Sequence, residues 1–265
     1  MSKLLVRPSS KSGRVAHVTP ESAGWTYVGF DLWKLPAGEV ASGETGEREV
    51  CLVFVTGKGA VTAGGQELGV LGDRSTPFEG KPWSVYVPQG SSWSVRAESA
   101  VELAVCSAPG LGGGLPVRVI GPNDVAQEVR GKGSNTRHVT NILPEGEPAD
   151  SLLVVEVITP AGNTSSYPPH KHDQDDLPSE SYLEETYYHR FNPPQGFGFQ
   201  RVYTDDRSLD EAMAIEDGDV VIVPKGYHPC ATCHGYDLYY LNVMAGPTRT
   251  WKFHNAAEHE WLLKA

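Results

Sequence analysis

His170 and His172 stand one residue apart, and on an extended strand that spacing points both imidazoles to the same side. Pro168-Pro169 precede them and restrict the backbone, so little conformational freedom is lost when the two rings engage a ligand. Glu184 and Glu185 open an alternating run further on, and His228 follows the turn Pro224-Lys225-Gly226. Three imidazole nitrogens and one carboxylate suit a divalent Zn, Mn, Fe, Ni or Co ion and leave coordination positions open for water or substrate. Alternation from Glu185 carries Tyr187 and His189 to its own face, while Glu184 shares the other face with Thr186 and Tyr188. Glu185 is therefore preferred as the carboxylate ligand, with Glu184 as the alternative. Of the 9 histidines only His17 precedes residue 138, so this chemistry is concentrated in the second half.

Elements of period two must position these groups. Trp25–Leu35, Val50–Val55, Ser84–Val87 and Val101–Cys106 read as strands in the first half. Leu152–Ile158, Glu185–Phe191, Gly198–Tyr203, Val220–Val223 and Leu238–Val243 read so in the second. Only Ser208–Ile215 reads as helical, with Ser208 as N-cap and Glu211 as its capping-box partner. The halves also answer each other in order: Pro36-Ala37-Gly38 with Pro160-Ala161-Gly162, Val87-Pro88-Gln89-Gly90 with Val223-Pro224-Lys225-Gly226, and Ala108-Pro109 with Gly246-Pro247. An acidic insertion around Asp173–Glu184 absorbs the extra length of the second copy. A duplicated all-β unit follows, with residues 1–130 and 136–265 as the two domains and Gly131–Asn135 as the linker. The first copy offers no histidine at the matching places and only Glu49 as a carboxylate, so it is expected to be structural.

Composition narrows the function. Hydrophobic residues at 39% suffice for a core, and 29 Gly with 20 Pro favour many short strands over long helices. A net charge of −11 argues against a nucleic-acid partner. No apolar run of about eighteen residues exists for a membrane helix, and the first residues lack the apolar core of a signal peptide, so a cytoplasmic location is expected. Cys230-Ala-Thr-Cys233-His234 matches a haem-attachment string, but that chemistry requires export, and the pattern is read as chance.

Gly162…His170-Lys171-His172…Glu185 and Gly218…Pro224-Lys225-Gly226-Tyr227-His228 resemble the two motifs of the cupin superfamily. The longer words Ser166-Tyr-Pro-Pro-His-Lys-His-Asp173, Leu183-Glu-Glu-Thr-Tyr-Tyr-His-Arg190 and Gly218-Asp-Val-Val-Ile-Val-Pro-Lys-Gly-Tyr-His-Pro-Cys230 are similar to the 5-deoxy-glucuronate isomerase family. That resemblance implies a bicupin, two tandem jelly-roll β-barrels, and an aldose–ketose isomerase of myo-inositol catabolism acting on a small sugar acid. Two departures stand out: His172 and Glu185 are unusually far apart, which places an acidic loop beside the metal, and a single residue separates Gly226 from His228.

The implied reaction needs a polarised carbonyl and a group that carries a proton between adjacent carbons. His189 and Tyr187 are the candidates for the proton. A uronate carboxylate needs a cation, and among Arg190, Arg201, Lys225 and Arg249 the expected inward row Phe197, Phe199, Arg201, Tyr203 favours Arg201. Tyr239, Tyr240 and Asn242 are placed to bind sugar hydroxyls. Competing readings are an Fe(II) dioxygenase on the same ligands, an isomerase of a different uronate such as that of pectin breakdown, and a non-catalytic sugar-binding cupin. Homo-oligomerisation is an open possibility of exposed barrel faces.

Overall fold

The computed structural model describes residues 2–264, and its regular elements are nearly all strands. The chain divides into two compact units. The earlier contains Pro8–Ala126 and Thr140–Val155; the later contains the chain up to Arg7, Gln127–Val139 and everything from Glu156. The division is therefore not one cut at a linker: Leu5–Val6 pairs with Val220–Val223 in the later unit, while residues 140–155 belong to the earlier.

Each unit is a jelly roll of two antiparallel sheets. In the earlier unit the larger sheet runs Arg118–Ile120, Ser84–Val87, Arg48–Thr56, Val101–Pro109, Gly29–Leu35, Gly13–Val18. The smaller runs Val40–Glu44, Ser92–Ala97, Gly59–Ala63, Gln66–Leu71. Alternate side chains of both sheets meet in one apolar core that includes Val50, Leu52, Phe54, Val85, Val95 and Leu103.

The later unit has the same plan, and three strands of its larger sheet, Leu153–Thr159, Arg137–Leu143 and Ala126–Arg130, begin or end in residues counted with the earlier unit. Its larger sheet is ordered Leu5–Val6, Val220–Val223, Glu184–Asn192, Asp237–Ala245, Leu153–Thr159, Arg137–Leu143, Ala126–Arg130, and its smaller sheet Thr164–Ser165, Cys230–Thr232, Phe197–Tyr203, Asp210–Glu216. Its interior is polar where the earlier one is apolar. Hydrogen bonds cross between the two sheets from His189 Nε2 to Gln200 Oε1 (2.9 Å) and between the Ser165 and Tyr240 hydroxyls (2.7 Å).

One expected element is corrected. Ser208–Ile215 is not helical; Asp210–Glu216 is a strand paired with Phe197–Tyr203. Met213 and Ile215 point inward at period two while Ala212, Ala214 and Glu216 face out. Ser208 caps nothing, because its amide and hydroxyl both donate to Asp206 Oδ1 in the preceding turn, at 3.1 and 2.8 Å.

Register explains why the earlier unit holds no ligand set. Glu185 pairs with Val223, and Val50 pairs with Val87, so Val50 occupies the place that Glu185 has in the later unit. Glu49 faces the opposite side. Its buried carboxylate accepts from the Tyr86 hydroxyl and the Asp150 amide through Oε2 (2.7 Å each), and from the Ser151 and Leu152 amides through Oε1 (2.6 Å each). Glu49 thus clamps a segment of backbone to its own unit. Glu49→Leu leaves two buried N–H groups, one part-buried N–H and a phenol without an acceptor, and should cost on the order of 3–5 kcal/mol. Denaturant unfolding checks this; an unchanged midpoint would remove the clamp from the account.

Candidate metal centre and its cavity

Three side chains converge inside the later unit. His172 Nε2 and His228 Nε2 each lie 3.1 Å from Glu185 Oε2, and among the described residues these three ligand atoms sit within 4.8 Å of one another. All three residues are buried.

Local structure presets each group. His172 Nδ1 donates to the Leu183 carbonyl (2.9 Å) and His228 Nδ1 to the Gly226 carbonyl (2.8 Å). With Nδ1–H committed, each Nε2 faces the centre and, when its ring is neutral, presents a lone pair there, the arrangement a metal-bound histidine requires. The carbonyl of Gly226 can face the ring two residues on because Gly226 adopts φ +88°, and a Cβ there would collide with the Tyr203 carbonyl oxygen. This accounts for the short Gly226–His228 spacing. Asn242 Nδ2 donates to Glu185 Oε1 at 2.6 Å, which aims Oε2 at the histidines. His228 Nε2 is buried without a hydrogen-bond partner. A cation is what such a donor set fits: two imidazole lone pairs and one carboxylate oxygen converging, one of them otherwise orphaned.

The long gap between His172 and Glu185 closes on itself. Asp173–Asp176 and Glu180–Tyr182 form a hairpin, and the Leu183 amide donates to the His172 carbonyl (2.8 Å), returning the chain beside its starting point. The acidic residues expected beside the metal are spent elsewhere. Buried Lys171 pairs with Asp173 (2.7 Å), Glu180 (3.5 Å) and Asp205 (3.5 Å), and Asp173 Oδ2 also accepts from the Gly226 amide (2.9 Å). Lys171 points away from its histidine neighbours by strand alternation, and its partner Asp173 links the hairpin to the turn before His228.

Burial and charge set the protonation states. Burial, with the neighbouring His172, holds His170 down at about 3, and burial holds His228 down at about 3 against the pull of Glu185. Burial also opposes charge on His172, but the Glu185 carboxylate outweighs it and raises that ring above its usual range. His170 donates to the Pro168 carbonyl, and its ring lies 4.9 Å from that of His228, at the edge of the trio.

A small cavity of about 30 Å³ adjoins Glu185, bounded also by Ser166, His170, Tyr187, Tyr240 and Asn242. An outer cleft of about 410 Å³, the size of a small-molecule site, shares Arg130, Arg137, His170 and Trp251 with it. Tyr187 is buried, its hydroxyl paired with Ser166 Oγ (2.8 Å), and burial keeps the phenol protonated well above its usual range. Ser166 holds that hydroxyl from a left-handed backbone conformation, φ 51°.

Other expected site residues lie elsewhere. His189 stacks on Tyr187 at 5.8 Å and is not among the residues that bound the cavity. Arg201 is half exposed and forms a bidentate pair with Asp210 (2.7 Å each), because Gly198, Gln200 and Val202 are the inward residues of that strand and Phe197, Phe199 and Arg201 face out. The expected row was displaced by one residue, which reverses every side chain. Arg190 pairs with Asp217 (2.8 Å), Lys225 is exposed, and Arg249 is half-buried and bounds neither cavity nor cleft. Tyr239 faces away from the cavity and donates to Glu156 (3.0 Å), whereas Tyr240 and Asn242 bound it. Arg130, Arg137 and Trp251 were not singled out, since they lie outside the repeated motifs. Cys230 and Cys233 are free thiols, and burial pushes Cys230 up to about 12.

His189 is fully buried, and burial depresses it to about 4 against the help of Gln200. The unfolded chain takes up this proton below about pH 6.5, the native chain only below about 4. His189 therefore contributes full stability above pH 6.5, and the contribution drains away as pH falls toward 4. His189→Gln should remove up to about 3 kcal/mol of that loss. Unfolding free energies at pH 7 and pH 4.5 for both proteins test it; parallel losses would contradict a neutral buried imidazole.

Comparisons with known proteins give the family. The model of the KduI/IolB family matches residues 4–262. A 5-deoxy-glucuronate isomerase of Geobacillus kaustophilus is 55% identical over all of this chain and 97% of that protein, and one of Bacillus subtilis is 50% identical over the full length of both. The crystal structure of an IolB-like protein from Salmonella typhimurium superposes with a TM-score of 0.96 at 58% identity, covering 98% of this chain and 99% of that one. Lactobacillus farciminis oxalate decarboxylase, 13% identical, shares the bicupin fold with a TM-score of 0.66 over 100% of this chain and 91% of its own. The chain belongs to the KduI/IolB family and is an isomerase.

Proposed function

We propose that this isomerase converts 5-deoxy-D-glucuronate to 5-dehydro-2-deoxy-D-gluconate in the cytoplasmic breakdown of myo-inositol, using a divalent cation held by His172, Glu185 and His228, with His170 completing the set. The convergence of two tautomer-locked imidazoles on Glu185 Oε2, beside a cavity that opens through a cleft, carries the reading. The names of the full-length relatives favour this substrate over other uronates.

A cation in that place supplies a Lewis acid for the substrate carbonyl oxygen. The remaining work falls to the protein. Asn242 holds Glu185 so that the carboxylate stays aimed at the centre. Tyr187 bounds the cavity with a protonated hydroxyl and is the group positioned to donate a proton to the reacting oxygen as charge develops on it. Ser166 fixes the phenol, and Tyr240, tied to Ser165, offers a further hydroxyl to the sugar. His189 acts from behind Tyr187 as packing and orientation.

The tests separate metal from proton transfer. His228→Ala should lose bound metal and turnover of 5-deoxy-D-glucuronate together, and chelation of the wild type should abolish turnover until a divalent ion is restored. Turnover that persists without metal would sink the Lewis-acid role. Tyr187→Phe should keep its metal while kcat falls roughly 10²–10⁴-fold. A kcat within a few-fold of wild type would take Tyr187 out of the proton path.

A further inference from the structure

We propose that Arg137 is the carboxylate-binding residue of the site, gripping the acid end of an open-chain sugar acid while its carbonyl end reaches the Glu185 cavity. This rests on the sugar-acid isomerase reading above, which left the substrate's negative charge without a partner once Arg201 and Arg190 proved to be paired with Asp210 and Asp217.

Arg137 opens the strand Arg137–Leu143 and borders both the outer cleft and the inner cavity. Its hydrogen bonds run from Nη1 to the carbonyl and side-chain oxygens of Asn135, both at 3.1 Å, and no carboxylate of the described residues pairs with it. The guanidinium is half-buried, and a cation withdrawn from water without a counter-charge is costly. An anion entering the cleft would relieve that cost, and the edge not used by Asn135 remains to meet a carboxylate in forked geometry.

The surroundings hold the guanidinium in place. Asn135 Nδ2 donates to the Tyr167 carbonyl (2.8 Å), fixing the oxygens that grip Nη1. Gly131 lies against the pair at φ +75°: a Cβ there would collide with the Asn135 carbonyl and stand 2.9 Å from Nη1. Arg130 differs. It is already neutralised by Glu128 (2.5 and 3.0 Å), and its guanidinium lies 5.1 Å from the centre of the Trp251 ring. It forms a wall of the cleft, with Arg137 as the uncompensated charge.

The experiment compares Arg137→Gln, Arg137→Lys and Gly131→Ala with wild type on 5-deoxy-D-glucuronate and on its neutral counterpart bearing an alcohol at carbon six. Arg137→Gln should raise KM for the acid roughly 10- to 100-fold, with a smaller change in kcat, and should erase the wild-type preference for acid over alcohol. Arg137→Lys should recover part of that preference, and Gly131→Ala should weaken it while all three retain bound metal. Equal losses on acid and alcohol, or an unchanged KM, would overturn the assignment. If the wild type fails to turn over 5-deoxy-D-glucuronate, the activity reading fails on its own. Calorimetric binding of D-gluconate, lost in Arg137→Gln or not, then still decides whether this arginine recognises a carboxylate.

Discussion

Glu185 Oε2 lies 3.1 Å from two imidazole nitrogens in an interior from which water is nearly excluded, and the rest of the later barrel is arranged to keep it there. A carboxylate facing two ring nitrogens is relieved most simply when those nitrogens carry protons to donate to it. Backbone carbonyls of Leu183 and Gly226 instead take Nδ1–H on both rings, so a neutral ring turns its Nε2 lone pair toward the carboxylate, and a cation between them would relieve that repulsion. Each carbonyl comes from an unusual piece of chain: one from the end of the acidic hairpin, the other from a glycine in a left-handed turn. Departures from the ordinary motif spacing are thus the means by which this chain sets the same donor atoms in place.

The two units show how little of a jelly roll dictates function. The same strand order encloses Val50, Leu52 and Phe54 in one and Glu185, Tyr187 and His189 in the other. A sheet-on-sheet core tolerates the second set only when every polar atom finds a partner across the gap. The bonds His189–Gln200, Ser165–Tyr240, Ser166–Tyr187 and Asn242–Glu185 supply those partners. Among the atoms outside that network are His228 Nε2 at the centre and His189 Nδ1 behind it. In the earlier unit the buried carboxylate, Glu49, is turned by one register position into a backbone clamp.

Period-two patterning made most of the strands legible, since half-buried strands announce themselves by alternation, and ligand types at strand spacing made His172, Glu185 and His228 legible as a set. Where one residue of phase decides, pattern alone fell short. Arg201 and its neighbours sit one position out of the assumed phase because two glycines make Gly196–Gly198 neutral as to which face is buried. Ser208 and Glu211 fit a helix start, yet Met213 and Ile215 alternate, and pairing with Phe197–Tyr203 outweighs local propensity. The acidic insertion gave no sign in composition that a buried lysine between two histidines would consume its charges. Arg137 was hidden for a different reason: it belongs to no motif, and only the folding of the linker turn Gly133–Asn135 against Tyr167 brings it to the cleft.

Charge placement then orients the substrate. The chain carries −11 overall, so an anion gains nothing from the global field. Two unit charges a few ångströms apart near a protein surface interact by about 4 kcal/mol, enough to separate two binding directions by roughly a thousandfold. A sugar acid that pairs its carboxylate with Arg137 sends its uncharged carbonyl end inward, whereas one lying the other way leaves the arginine unpaired. Isomerisation requires the first direction. The half-buried arginine that borders both cleft and cavity therefore makes this selection before any proton moves.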